Sequence, residues 1–359
     1  MHNLLLSDDQ FLKDKSVIVD EAHYLRNESK DKIFIIKGLL RAFKILFLSA
    51  TPIYNYPNDI SVLVNTIKKT SALPLDKDQF DFFYINKDTL EIENKKMLIE
   101  KLAGTISYFK VVDTVNYPRV KTFTKEVELS DKQITAYAFI VRKIIYESKD
   151  VPINLDINFE ALKKKQKNAF LSATRQLSNT VDESESSPKI QEIFKMIKKK
   201  EYPIVVYSNY LSNGIFPLSK LLSEKNISYA KITGTTSDEE IKNRVNNYNS
   251  GKYKVLLLSS SSSEALDLKN TRSVHVMEPH WNEAKIKQLI GRAVRFQSHI
   301  SLPPTKRLVE IYHWTSVFPH GMKYKTADQY LMELSAKKEK INENFTKAII
   351  EASIEKQQL

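Results

Sequence analysis

Apolar residues in this chain fall into short runs whose period switches between two and 3.6. Val17-Ile18-Val19 is a β-branched run that stops at Asp20-Glu21, the pattern of a buried strand that delivers acids to a sheet edge. Helical spacing over 31–43, a second apolar run at 45–48, and helical spacing over 58–68 follow, with Pro57-Asn58-Asp59 as the expected cap of that last helix. This alternation predicts a parallel sheet. Residues 71–125 interleave aromatic and charged side chains without a clear period. Residues 127–129 predict a short strand. From Ser130, a suitable N-cap, Ile134, Tyr137, Ala138 and Ile140-Val141 predict a helix, and a further helix carries Lys163-Lys164-Lys165.

The stretch 182–188 has a linker's composition. Beyond it the alternation resumes. Helices are expected over 190–198, 218–223, 238–247 and 285–295, and strands over 204–207, 229–232, 255–258, 274–276 and 307–312. From Thr326 the spacing of Leu331, Leu334, Ile341, Phe345, Ile349 and Ile354 predicts a helical tail, its apolar stripe expected to pack on the second α/β region.

With 359 residues, two domains are expected. The composition is ordinary for a globular protein, 42% hydrophobic and 27% charged. Net charge is +12, which points toward a polyanion partner, although lysine-rich solvated faces such as 163–165 and 198–200 explain part of it. No cysteine is present, so disulfide and thiolate–metal chemistry are excluded and a reducing compartment is compatible. No apolar run reaches the roughly 18 residues that span a bilayer. Leu4-Leu5-Leu6 before Asp8-Asp9 is no signal peptide, so a cytoplasmic location is expected.

The chemistry lies in ordered motifs. Asp20-Glu21-Ala22-His23 follows one apolar run, and Ser49-Ala50-Thr51-Pro52 follows the next about thirty residues later. Carboxylates at such an edge suit Mg²⁺ and an oriented water. Far downstream, Gln288, Arg292 and Arg295 recur at i, i+4, i+7, so one helical face presents an amide and two guanidiniums suited to phosphate. Each motif alone has a bland reading: a solvated turn, a charged helix face, or, for Trp281, a packed aromatic instead of a base-stacking platform. His275, His280, His299 and His313 read as structural.

Together the motifs resemble superfamily 2 helicases and translocases, nearest the Swi/Snf-like branch and the helicases of nucleocytoplasmic large DNA viruses related to poxvirus early transcription factor and nucleoside triphosphatase I. The likeness rests on 20–23, 48–52, 129–133 with Tyr137, 174–179, 187–190, 206–209, 233–234, 258–268, 278–282 and 288–295. It implies an α/β fold of two RecA-like lobes with parallel sheets, the first incomplete, at 1–125 and 188–320, with a helical insertion at 126–187 and a helical tail at 321–359. It implies ATP and Mg²⁺, with Asp20 on the metal, Glu21 as general base, His23 linking the acid loop to the second lobe, and Ser49 and Thr51 coupling hydrolysis to movement. Gln288, Arg292, Arg295 and Asp267 would meet the nucleotide. Tyr207, Ser208, Asn209, Thr233, Gly234, Ser259, Ser260 and Trp281 would line a nucleic-acid path, DNA ahead of RNA, with transcription machinery as a further partner.

Two departures stand out. No Gly-x-x-x-x-Gly-Lys-[Ser/Thr] phosphate loop occurs; by the family's spacing it would lie before Met1. Ala265 stands where the family usually has glycine. The alternative expectation is therefore a non-hydrolysing module that binds nucleic acid or a transcription complex.

Overall fold

The computed structural model describes residues 10–26, 29–109, 115–146, 154–182, 187–260, 266–280 and 283–357. The chain divides into two compact units. One comprises residues 1–111, 282–284 and 335–359; the other comprises 112–281 and 285–334.

In the first unit, β1 (Ser16–Val19) pairs in parallel with β2 (Lys44–Phe47), Val19 beside Phe47. Between them runs α1 (Lys30–Leu39), capped by Ser29, whose hydroxyl accepts from Lys32 N. Val17, Val19, Ile45 and Phe47 point inward onto Ala22, Leu25 and Leu39, while Ile18, Leu46 and Leu48 are exposed. α2 (Asp59–Lys68), α3 (Lys77–Tyr84) and α4 (Lys95–Leu102) form a second core around Phe80, Leu98 and Leu102. Sequence periodicity missed α3 and α4 because aromatic and charged residues blur their spacing.

The second unit is built on a six-stranded, wholly parallel sheet. Its order is β3 (Arg119–Glu128), β8 (Leu308–Val317), β7 (Ser273–Val276), β4 (Ile204–Ser208), β6 (Val255–Ser259), β5 (Tyr229–Ile232). Alternate residues feed two cores. Val205, Tyr207, Leu256, Leu258 and Val274 face one, with Val245 and Tyr248 of α9 (Asp238–Asn249). Ile204, Val206, Val255 and Leu257 face the other, with α7 (Pro188–Lys199) and α8 (Phe216–Glu224). A sheet covered on both faces needs such continuously apolar strands, which is why they were legible. β3 was not: only its last residues read as strand. It is an edge strand of alternating basic, hydroxyl and aromatic residues, exposed over its first half, and such edges are kept polar. α5 (Asp131–Val141) begins with a full capping box, Ser130 with Gln133, and packs on α6 (Lys164–Asn179).

The tail corrects one expectation. It is a long helix, α11 (Ala327–Ala352), followed by one short helical turn, Ile354–Gln357. Ala327, Tyr330 and Leu331 pack in the second unit, whereas Ile341, Phe345, Ile349 and Ala352 belong to the core of the first. No helix among the described residues is long and apolar enough to cross a membrane.

His275 on β7 is fully buried and stacks on Tyr312. The Trp314 indole N–H donates to its Nδ1 at 3.2 Å, so the ring proton sits on Nε2, facing Ser273 Oγ at 3.2 Å. Burial, helped by the Lys200 charge, pushes its pKa from 6.5 to about 3. The unfolded ring therefore binds a proton that the native ring refuses, and stability falls as pH drops from above 6.5 toward 3. Urea unfolding of this unit should lose about 2 kcal/mol between roughly pH 7.5 and 5 from this ring, a loss absent in His275→Asn. Equal pH slopes for parent and variant would contradict it.

Candidate active site

The parallel register of β1 and β2 brings the two N-terminal motifs to one sheet edge. Leu48 N donates to Val19 O and Ala22 N to Leu48 O, both at 2.9 Å, so the ladder continues past the strands. Asp20 and Glu21 are exposed there. Glu21 adopts φ 48°, a left-handed conformation that costs a non-glycine residue on the order of 1 kcal/mol or more. Asp20 Oδ1 accepts its N–H at 2.8 Å. The kink leads the chain into a 3-10 turn, Ala22–Arg26, and Glu21 Oε2 lies 3.2 Å from His23 Nδ1.

His23 is wholly buried, stacked on Tyr54 at 5.1 Å, with the Arg26 guanidinium 3.9 Å from the same Tyr54 ring. Burial lowers its pKa; Glu21 opposes that shift without reversing it. The ring is neutral near pH 7. Its Nδ1 also lies 3.1 Å from Ser49 Oγ, which accepts from Thr51 N at 3.1 Å. Nε2 has no partner among the described residues. A buried acceptor left unmet costs less than a buried N–H, so the proton belongs on Nδ1, between Glu21 and Ser49. Thr51 Oγ1 is likewise buried without a partner. The following loop is pinned by Asp59 Oδ2, which accepts from the N–H groups of Tyr54, Asn55 and Tyr56 at 3.1, 2.6 and 3.1 Å. Asn58, the expected cap of α2, makes no side-chain cap bond.

Two exposed carboxylates suit Mg²⁺, which commonly takes one or two protein carboxylates and fills its shell with water and phosphate. Among the described residues no group of three acids or histidines forms a self-sufficient metal site.

α10 (Glu283–Ala293), in the second unit from Lys285 on, buries Ile286, Leu289 and Ala293. Gln288 and Arg292 are half-buried, and Arg295, just past the helix, is exposed. Arg295 N donates to Ser298 Oγ at 3.2 Å, fixing the exit from the helix, and its guanidinium lies 3.9 Å from Asp267 Oδ1. Both side chains of that pair are more than half exposed, so it contributes little stability and leaves the guanidinium available. His299 Nε2 donates to Thr271 O at 2.8 Å, a structural role.

A model of the SNF2-related domain matches residues 6–200, and one of the helicase conserved C-terminal domain matches 188–297. A protein of Acanthamoeba polyphaga mimivirus named as an ATP-dependent RNA helicase, L538, is 46% identical over 98% of this chain and 80% of its own length. The chain belongs to the SNF2-related family of superfamily 2 helicases and translocases. An African swine fever virus protein named as a termination factor NPH-I homolog is 25% identical over 94% of the chain, which spans 62% of that relative. The C-terminal part of the Fun30 ATPase domain aligns with 64% of the chain at 12% identity, TM-score 0.46.

In the second unit the sheet's carboxyl edge lies within the region matched by the helicase C-terminal domain. Ser208 and Ser259 lie side by side in register, and Ile232 pairs with Leu258, so 208–209, 233–234 and 259–260 share that edge. Thr233 is half-buried, closed into a turn by Thr236, and Gly234 is exposed; Asn209 and Ser260 are half-buried. Tyr207, Ser208 and Ser259 are buried. The Tyr207 hydroxyl donates to Asn209 Oδ1 at 3.0 Å, so Tyr207 supports the residue beside it. Trp281 lies outside the described residues.

Glu278, which sequence reasoning did not place in a site, anchors this edge. It is fully buried. It accepts from Asn209 N at 2.5 Å, Asn209 Nδ2 at 3.1 Å, Ser208 Oγ at 3.0 Å and Asn179 Nδ2 at 2.7 Å. Its signal was its place at the head of the 278–282 run that carries part of the resemblance, two residues past the apolar run 274–276. Gly214 permits the arrangement: a Cβ there would run into Ser208 Oγ and lie 2.8 Å from Ser208 Cβ. Because Ser208 is held by Glu278, Gly214→Ala should cost about 1–3 kcal/mol in urea unfolding of this unit. A change below about 0.5 kcal/mol would show that the edge is not so confined.

Proposed function

We propose that this chain is the catalytic part of an ATP-driven motor that tracks a nucleic-acid backbone. The observation that carries the reading is the Glu21–His23–Ser49 cluster. A strained acid is tied through a buried neutral imidazole to the hydroxyl motif of the adjacent strand, so a change at the acid is felt in the Ser49–Thr51 loop. In this reading Glu21 takes the proton of the attacking water, and Asp20 would hold Mg²⁺, which supplies charge neutralisation for the phosphates when bound. Arg292 and Arg295 meet the charge that develops on the transferred phosphoryl group, Gln288 orients them or the nucleotide, and Asp267 steadies Arg295. Thr51 Oγ1 and His23 Nε2, buried without partners among the described residues, are groups a second conformation can satisfy.

Asn209, Thr233, Gly234 and Ser260 supply hydroxyl, amide and backbone N–H groups of the kind that contact phosphate, with the buried Tyr207, Ser208 and Ser259 behind them and Trp281 as a stacking side chain. A net charge of +12 favours the polyanion. DNA stands ahead of RNA because Swi/Snf-like relatives track duplex DNA. The relatives' names, an RNA helicase and a termination factor homolog of viral origin, support a viral, transcription-associated setting; a cytoplasmic or virion location is the expectation that goes with it.

A second reading, a binding module that hydrolyses nothing alone, is favoured by the absence of a phosphate-loop motif from the 359 residues. Steady-state ATP turnover with and without duplex DNA or RNA separates the two. The motor reading expects nucleic-acid-stimulated turnover that falls about 100-fold or more in Glu21→Gln with binding retained. Binding without turnover would establish the second reading, and turnover indifferent to Glu21→Gln would remove the assigned base.

A further inference from the structure

The outer side of the first unit carries an apolar trough that the proposed motor chemistry does not use. α1 is apolar on two sides. Phe34, Ile35 and Leu39 face the core, whereas Ile33, Ile36 and Leu40, at i, i+3, i+7, line a hollow of about 450 Å³ whose other wall is the C-terminal end of α2 and Leu75. Ile33, Leu40 and Leu75 are 39%, 38% and 45% exposed, large values for aliphatic side chains grouped at one place. The two charged residues of its lining are both lysines, Lys37 on α1 and Lys69 at the C-cap of α2. A second hollow of about 840 Å³ shares Asn65, Ser71 and Leu75 with it and adds Lys101, Asp76 and Lys77, the last already paired with Asp81 at 2.5 Å. The surface is thus an apolar floor with a cationic rim.

We propose that this trough docks an amphipathic helix of a partner protein, with aliphatic side chains along one face and Glu or Asp beside them. Ile33 to Leu40 spans about two helical turns, roughly 10 Å, the reach of an i, i+3/i+4, i+7 stripe on a crossing helix. The lysines on either wall favour an acidic flank and disfavour a basic one. A nucleic-acid strand fits less well, because its phosphates would meet two lysines while its sugars lay on aliphatic carbon.

A test uses the chain labelled at isoleucine and leucine methyls. The probe is a synthetic helix of about 16 residues, long enough to be helical, with leucines at that spacing flanked by glutamates; a control peptide carries lysines instead. The expected result is saturable shifts at Ile33, Ile36, Leu40 and Leu75. Affinity should be about tenfold or more weaker for the lysine peptide, and similarly weakened by Leu40→Glu or Lys37→Glu. Both substitutions lie on the exposed face, and unchanged thermal unfolding confirms the fold. No binding up to about 1 mM, equal affinity for both peptides, or shifts confined to Ile18 and Leu46 would overturn the assignment.

Discussion

A buried chain of charges and amides holds the second unit together. Asp328, at the start of α11, and Lys189, in the first turn of α7, are each 1% exposed and 3.0 Å apart. Lys189 Nζ also donates to Ser178 Oγ and Asn179 Oδ1, and Asp328 Oδ2 accepts from Ser316 N. Asn179 passes the chain on to Glu278, and Glu278 to Ser208 and Asn209. Desolvating charge costs several kcal/mol per ion unless each group is met. Here the partners come from α6, α7, α11, β4, β8 and the segment after β7. The network therefore demands that these elements be in place together, and a half-formed version is worse than none.

That demand links packing to chemistry. The end of the network is Asn209, a backbone position at the carboxyl edge of the parallel sheet, where ligands of open α/β folds bind. Glu278 fixes it with two bonds, and Gly214 clears the space. The first unit uses a smaller device of the same kind. Its edge is set by two paired strands, an acid in a strained conformation and a buried imidazole shared between two motifs. In both units a rigid interior presents polar groups at a sheet edge.

Much of this was legible in the chain. The apolar strands of the second sheet, the acids after Val19, the hydroxyls after Leu48 and the Gln288–Arg292–Arg295 face stand as local patterns, because each is set by period or by the end of an apolar run. The rest depends on residues far apart. Lys189 and Asp328 are 139 positions apart, and Asn179 and Glu278 are 99 apart; no local pattern announces such pairs. β3 escaped because an edge strand keeps polar residues that mask its period. The tail showed its stripe but not that the stripe serves two cores, because periodicity gives a face and not its partner. Tyr207 and Ser208 read as path-lining residues, yet lie inside, since a motif fixes where a residue comes in the chain and not which way its side chain turns.

A double-mutant cycle on Lys189 and Asp328, followed by urea unfolding of the second unit, decides whether the buried network organises this lobe. Lys189→Met or Asp328→Leu alone should each cost about 3–5 kcal/mol by stranding the other charge, and the double variant should cost well under their sum, a coupling of about 1–3 kcal/mol. Losses that add within about 0.5 kcal/mol would mean the two charges act independently and the network is incidental.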